Sequence, residues 1–312
     1  MRLVFLGTPS FAVATLERAV AAGHQVLLVV TQPDRPKGRG RKPAASPVKE
    51  SALRLGLPLY QPERIRRPEA VEMLAAQGAD AMVVVGYGQI IPKPILDLAP
   101  HGIINVHASL LPKYRGAAPL QWAVANGETR TGVTTMRIDE GLDTGDMLLK
   151  AETEIGPDET ALELGARLAE MGAELLVRTL DGIASGSIVP EKQNSADATY
   201  APILKKEDGL LDWRQPAPVI HNRIRGFLPW PGGHTHFRGL GLQIWKARTA
   251  DLTQAPAPGC LLHAQGVFAG CGQGTALQLL EVQLEGRKRI SAEDFANGQR
   301  LAETDSLGEP TR

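Results

Sequence analysis

Through roughly its first 150 residues the chain alternates short apolar runs with amphipathic stretches of helical period, and this narrows its possible folds most. Leu3-Val4-Phe5-Leu6 reads as a first strand, followed by Gly7-Thr8-Pro9 and a helix over residues 10–22. Residues 26–30 form a second apolar run, and residues 81–85 a third, after a helical segment over 68–77. Such repetition predicts an α/β domain with a parallel sheet covered by helices on both faces. In sheets of this kind ligands collect beyond the carboxyl ends of the strands. Gly7-Thr8-Pro9, Gly86-Tyr87-Gly88, the strand tip at Asn105 and His107, and a glycine-rich loop holding Asp143 are all expected to open onto that edge.

A chain of 312 residues exceeds one typical core, so two domains are expected. A helix over residues 160–180 closes the first, and residues 190–204, polar, small and without period, read as a linker. Beyond residue 209, apolar runs at 241–245, 259–262 and 276–282 are separated by Gly and Pro turns. Short strands between frequent turns predict a small β barrel, here interrupted by one helix over 218–225. The expected boundaries are 1–189 for the first domain, 190–207 for the linker and 208–312 for the second, with a frayed tail after Arg300.

With 43% apolar and 22% charged residues, the composition is that of an ordinary soluble globular protein. No apolar run approaches the roughly 20 residues that span a bilayer, and no signal-peptide pattern opens the sequence, so the cytoplasm is the expected address. Cys260 and Cys271 lack Cys-x-x-Cys spacing and are expected as free thiols; no metal is expected. The formal net charge is +0, but its distribution is uneven. Arg35, Lys37, Arg39, Arg41 and Lys42 crowd into eight residues with Pro36, Gly38 and Gly40, which reads as a mobile loop that orders on an anion. Residues 203–292 hold eleven Lys and Arg against six Asp and Glu, with Arg223, Arg225, Lys246, Arg248 and Arg287-Lys288-Arg289 prominent. Cationic surface on two domains points to a large polyanion, with phosphate as the natural partner.

The chemistry concentrates in Asn105-Val106-His107-Ala108-Ser109-Leu110-Leu111-Pro112-Lys113-Tyr114-Arg115-Gly116 and in Gly141-Leu142-Asp143-Thr144-Gly145-Asp146. Strand residues two apart share a face, so Asn105 and His107 project side by side. An amide donor, an imidazole and a carboxylate at one point suit acyl transfer: the donors stabilise an oxyanion, and the imidazole moves a proton. Plainer readings stand beside this one, with His107 as a structural histidine, Asn105 as a turn-maker and Asp146 as a rival carboxylate. Leu110-Leu111 and Ile90-Ile91-Pro92 are too apolar for solvated loops, and either a flat ligand or a plain core would cover them. A dinucleotide site is disfavoured because Gly-x-Gly-x-x-Gly is missing after the first strand.

In the Asn-x-His pair, the Ser-Leu-Leu-Pro-x-Tyr-Arg-Gly loop and the Leu-Asp-x-Gly-Asp loop, the chain resembles the folate-dependent formyltransferases. The resemblance extends over almost the whole chain. It implies a Rossmann-like, mostly parallel catalytic domain followed by a small OB-like β barrel, with Asn105, His107 and Asp143 as the catalytic trio. It further implies 10-formyltetrahydrofolate as donor, in a pocket lined by Ser109, Leu110, Leu111, Pro112, Ile90, Ile91 and Tyr87. Gln32-Pro33-Asp34-Arg35-Pro36-Lys37-Gly38-Arg39-Gly40, Ser46-Pro47-Val48-Lys49 and Gly226-Phe227-Leu228-Pro229-Trp230-Pro231-Gly232-Gly233 are similar to members that formylate methionyl initiator tRNA. Arg35, Lys37, Arg39, Arg41 and Lys42 are then the implied tRNA contacts of a monomeric enzyme. Members acting on a small amine such as glycinamide ribonucleotide are the alternative, though they generally lack such a barrel. A non-catalytic folate- or nucleic-acid-binding protein is the other alternative.

Overall fold

The structure, a computed structural model, describes residues 1–37 and 42–308. The chain divides into two compact units. One comprises Met1–Gly116, Gly132–Thr153 and Gly165–Tyr200; the other comprises Ala117–Thr131, Glu154–Leu164 and the chain from Ala201 onward.

The first unit is built on a seven-stranded sheet in the order Met147–Glu154, Arg130–Arg137, Ile103–His107, Ala81–Val85, Arg2–Gly7, Gln25–Val30, Leu59–Tyr60. Its last five strands are mutually parallel. Leu3 to Leu6 and all of Ala81–Val85 are buried, as expected of central strands covered on both faces. On one face Val4, Leu6, Leu28, Val30, Met82 and Val84 form a core with Ile65, Leu74, Tyr87 and Ile95.

The sheet is mostly parallel, as the resemblance implies, with its exception at the edge that carries the site. Arg130–Arg137 runs antiparallel to Ile103–His107, with Thr134 opposite His107 and Arg137 opposite Ile104. The loop after it therefore departs from the amino side of the parallel strands, and Asp143 reaches Asn105 and His107 by bending back along the strand.

The long helix Ala161–Ala184 covers the other face of this edge. A Cβ on Gly172 would lie 2.8 Å from Val106 Cγ1 and 3.4 Å from Val133 Cγ1, so glycine lets the helix settle onto the sheet. Beside it the buried hydroxyls of Thr135 and Thr179 pair at 2.8 Å, and Thr179 donates to the Leu175 carbonyl at 2.7 Å. Val106 faces the helix, leaving Asn105 and His107 on the opposite face. Gly172→Leu overfills this contact and is expected to lower stability by about 1–3 kcal/mol, measured as a lower thermal midpoint.

The basic segment departs from the expected mobile loop at both ends. Arg35–Lys37 and Lys42–Ala44 pair as an antiparallel ribbon, with Pro36 opposite Pro43, and proline fixes φ in a range suited to extended chain. Asp34 anchors one end, accepting from Lys49 Nζ at 2.6 Å and Gln61 Nε2 at 2.9 Å; Lys49 holds its carboxyl below the usual range. At the other end Ser46 caps the helix Pro47–Arg54, its Oγ accepting from Lys49 N at 3.0 Å. Arg39 and Arg41, and the side chains of Lys37 and Lys42, lie outside the described residues.

The second unit holds an antiparallel sheet in the order Gly233–Phe237, Leu240–Ala250, Ala276–Leu284, Val267–Gly270, Leu261–His263, with Ile290–Ser291 also on Ala276–Leu284. Leu242 and Ile244, Leu277 and Leu279, and, past a register shift, Val282 lie in a core shared with Ile220 and Ile224 of the helix Ala217–Gly226 and Phe295 of the helix Ala292–Gln299. Phe237 and Phe295 meet edge to face at 5.0 Å. In the tail after Arg300, expected to be frayed, residues 301–308 are docked; residues 309–312 lie outside the described residues. Leu307 bridges Phe237 on one end strand, while Ser306 bridges Cys260, next to the other. Arg238 grips the buried Asp305 carboxylate through Nε at 2.8 Å and Nη2 at 2.6 Å, and this pairing holds the carboxyl below its ordinary value.

Arg225 is likewise not part of a cationic surface. It is buried, with Nη1 donating to the carbonyls of Gly156 at 3.1 Å and Glu159 at 2.6 Å, and Nε to Asn222 Oδ1 at 2.9 Å. Burial pushes its guanidinium below the ordinary value. Arg289 pairs with Glu281 and lies 4.8 Å above the Trp245 ring, and like Lys246, Arg248, Arg287 and Lys288 it is exposed. No described helix is long and apolar enough to cross a membrane.

Candidate active site

The expected trio converges. Asn105 and His107 are 9% and 6% exposed on one face of their strand, and the Asp143 side chain is 18% exposed. Asn105 Nδ2 lies 3.5 Å from Asp143 Oδ1, and His107 Nδ1 lies 3.7 Å from Asp143 Oδ2. The other imidazole nitrogen, Nε2, is 2.9 Å from the Tyr114 carbonyl. A carbonyl only accepts, so Nε2 carries a hydrogen. A second proton on Nδ1 sets an imidazolium against the carboxylate, a pairing strengthened by low solvent access.

The loop after His107 shapes this corner. Ser109 is buried: its Oγ donates to the Lys113 carbonyl at 2.6 Å, and its own carbonyl accepts from Thr134 Oγ1 at 2.7 Å. Thr134 Oγ1 in turn accepts from Leu111 N at 3.1 Å. The chain then turns back through Tyr114, at φ 60°, whose amide donates to Thr199 Oγ1 at 2.8 Å. That return brings the Gly116 amide to Asp143 Oδ2 at 2.8 Å. Asp143 itself has φ 51°, a left-handed conformation in which Asp is tolerated better than most residues.

Several contributors carry no sequence signal of their own. Gln193 donates from Nε2 to the carbonyls of Asp143 and Gly145, both at 2.8 Å, while its Oε1 accepts from Arg115 Nε at 3.0 Å. Gln193 and Thr199 fall in the segment expected to be a linker, and Thr134 reads as one more strand residue. Asp146, the rival carboxylate, contributes its main-chain carbonyl to Arg137 N at 2.9 Å.

The residues expected around a flat ligand separate into two sets. Tyr87 is a core residue, 1% exposed, and burial pushes its phenol up to about 12. Only its main chain serves the turn, where its carbonyl accepts from Thr8 Oγ1 at 3.0 Å and Gln32 Nε2 at 3.1 Å. Leu111 is buried with Met136 and Met147, and Ile91 packs against the core of the sheet. Leu110 and Pro112 are half-buried. Ile90, by contrast, is 92% exposed, and Leu142, beside Asp143, is 60% exposed. These two open apolar side chains suit an apolar ring better than water.

An amide and an imidazole buried on one strand of a mostly parallel sheet thus meet a partly exposed loop carboxylate, and the sequence comparisons give the class of the chain that carries them. The "Formyl transferase" family matches residues 1–180, and "Formyl transferase, C-terminal domain" matches residues 203–300. The chain belongs to the formyl transferase family. It is 68% identical over 309 residues to a methionyl-tRNA formyltransferase of Solibacter usitatus, covering 99% of both chains. Another methionyl-tRNA formyltransferase, from Koribacter versatilis, is 58% identical over 309 residues, again covering 99% of each.

Solved structures share the fold at lower identity. An N-formyltransferase from Helicobacter canadensis, in complex with folinic acid and dTDP-3-aminofucose, aligns with TM-score 0.66 at 18% identity over 89% of this chain and 98% of that one. HypX from Aquifex aeolicus, in complex with tetrahydrofolic acid, aligns with TM-score 0.64 at 15% identity over 99% of this chain and 51% of that one.

Proposed function

We propose that this enzyme transfers the formyl group of 10-formyltetrahydrofolate to the α-amine of methionine on initiator tRNA, acting as a monomer in the cytoplasm. The observation that carries the reading is the convergence of Asn105, His107 and Asp143 in a chain 68% identical, end to end, to a methionyl-tRNA formyltransferase. The donor's binding and its formyl carbon supply the electrophile. Ile90 and Leu142, exposed and apolar, offer contact for its ring, and Ser109, Leu110, Leu111, Pro112 and Ile91 are the further residues assigned to its pocket.

The residues divide the work by charge. An α-amine has an ordinary pKa of about 7.7, and an adjacent ester lowers it, so a useful neutral fraction exists without a general base. As this amine adds to the formyl carbon, negative charge grows on the formyl oxygen. The Asn105 amide and the Nδ1–H of protonated His107 donate to that oxygen, since Nε2–H is held by the Tyr114 carbonyl and Nδ1, 3.7 Å from Asp143, is not hydrogen-bonded to it. Asp143 stabilises the imidazolium and helps carry the proton from the amine toward the leaving folate nitrogen. Chemistry belongs to the domain drawn at residues 1–189, and the domain from 208 onward holds the tRNA together with Arg35, Lys37, Arg39, Arg41 and Lys42. The exposed Lys246, Arg248, Arg287 and Lys288 support that assignment.

The test is an acceptor comparison with 10-formyltetrahydrofolate as donor. Formylation of methionyl initiator tRNA with none of glycinamide ribonucleotide is the expected result. Reaction of the ribonucleotide alone would transfer the chain to the small-amine class, and folate binding without formylation of either would remove the enzyme reading.

A further inference from the structure

We propose that Gln193 is the positioning residue of the Asp143 carboxylate, acting through the two loop carbonyls it holds; the inference rests on the catalytic role given to Asp143 above. Its amide is fully oriented by its partners. Arg115 Nε only donates, so Oε1 faces it at 3.0 Å; the carbonyls of Asp143 and Gly145 only accept, so Nε2 faces both at 2.8 Å. Both amide hydrogens and one oxygen lone pair are therefore used, and a flipped amide would break all three bonds.

Both supports of Gln193 are themselves anchored. Arg115 is 3% exposed. The strand residue Met147 exchanges a pair of 2.8 Å main-chain hydrogen bonds with Glu191, two residues before Gln193. Asp143 needs such support, because a non-glycine residue at φ 51° persists only where its surroundings over-determine it. Its carboxylate is thus held from two directions. The Gly116 amide, next to Arg115, takes Oδ2 at 2.8 Å, and Gln193 takes the Asp143 main chain. With only long contacts to Asn105 and His107, at 3.5 and 3.7 Å, the carboxylate keeps its place through this grip.

Gln193→Glu separates the positioning role from packing. It retains the side-chain length and gives Arg115 an ion-pair partner, but an ionised carboxylate has no hydrogen for the two carbonyls and repels them. The full-length variant is expected to stay folded at the assay temperature, with a somewhat lower thermal midpoint, and to bind folate and charged tRNA with KM within about twofold, while kcat falls about 10- to 100-fold, as for a misplacement near 1 Å. Gln193→Ala, which removes the amide without adding charge, is expected to show the same kcat loss. A solely structural residue would add its loss to any other. Here Gln193→Glu combined with Asp143→Asn should be no slower than Asp143→Asn alone. Normal kcat in both Gln193 variants, or losses that multiply with Asp143→Asn, would overturn the inference. Normal kcat in Asp143→Asn itself would instead overturn the role of Asp143 on which it rests.

Discussion

His107→Asn and Asp143→Asn are each expected to lower the turnover number for formyl transfer by about 10²- to 10⁴-fold, equivalent to roughly 3–5 kcal/mol of transition-state stabilisation. The geometry gives the reason for so large an expected loss. In Asp143→Asn the amide oxygen can still accept from Gly116 N, so the loop stays closed, but the negative charge facing His107 Nδ1 is gone. An imidazolium formed there then sits buried without a counter-charge. In His107→Asn the shorter side chain gives up the position held between the Tyr114 carbonyl and Asp143. Neither substitution touches Ile90 or Leu142, so folate affinity measured by fluorescence titration is expected to stay within about twofold, the pattern of a transition-state interaction.

The second large effect concerns the basic segment. Replacing Arg35, Arg39 and Arg41 together with Ala removes three cations from a short stretch whose ends are pinned by Asp34 and Ser46. Each phosphate that no longer meets a cation should reduce the slope of log affinity against log salt by about 0.7–0.9, so the triple variant should flatten that slope by about 2–3. Binding of charged initiator tRNA at low salt then weakens by several powers of ten, while folate affinity is unchanged. If Arg39 enters the acceptor end itself, its single variant binds more weakly than either neighbour's. A salt series on the singles and the triple separates these effects, and an unchanged slope in the triple variant would leave the segment without a role in tRNA binding.

Much of the fold is legible because burial on two faces writes itself into composition. Ala81–Val85 is a five-residue apolar run and forms a strand with those same bounds; the helix expected over 218–225 extends only to Ala217–Gly226. What is not legible depends on partners distant in sequence. Leu59–Tyr60 is too short to show a period, and exists by pairing with Val29 and Val30. The stretch 301–308 is short and largely polar, yet Arg238 and the Phe237 edge dock it. Arg225 resembles its cationic neighbours until the carbonyls of Gly156 and Glu159 claim it.

The site divides in the same way. Asn105 and His107 are visible because a strand places alternate residues on one face. Asp143 is expected at the same edge on the premise of a parallel strand before its loop, but that strand runs antiparallel, so the recurring motif is the sounder signal for it. Gln193 and Thr199 are invisible: a polar segment without period looks like a linker whether it hangs free or grips a catalytic loop. Tyr87 misleads for the opposite reason. The resemblance assigns it to the folate pocket, but its ring turns into the core and leaves Ile90 outside.

The most direct test of the trio is a single-turnover measurement of labelled formyl transfer to methionyl initiator tRNA, with donor and acceptor saturating. It compares wild type, His107→Asn, Asp143→Asn and the double variant. If the imidazole and carboxylate act as one unit, each single variant is about 10²-fold slower or worse, and the double variant is within a few-fold of the slower single. A wild-type rate in either single variant, or a double-variant loss equal to the product of the two, would contradict the assignment.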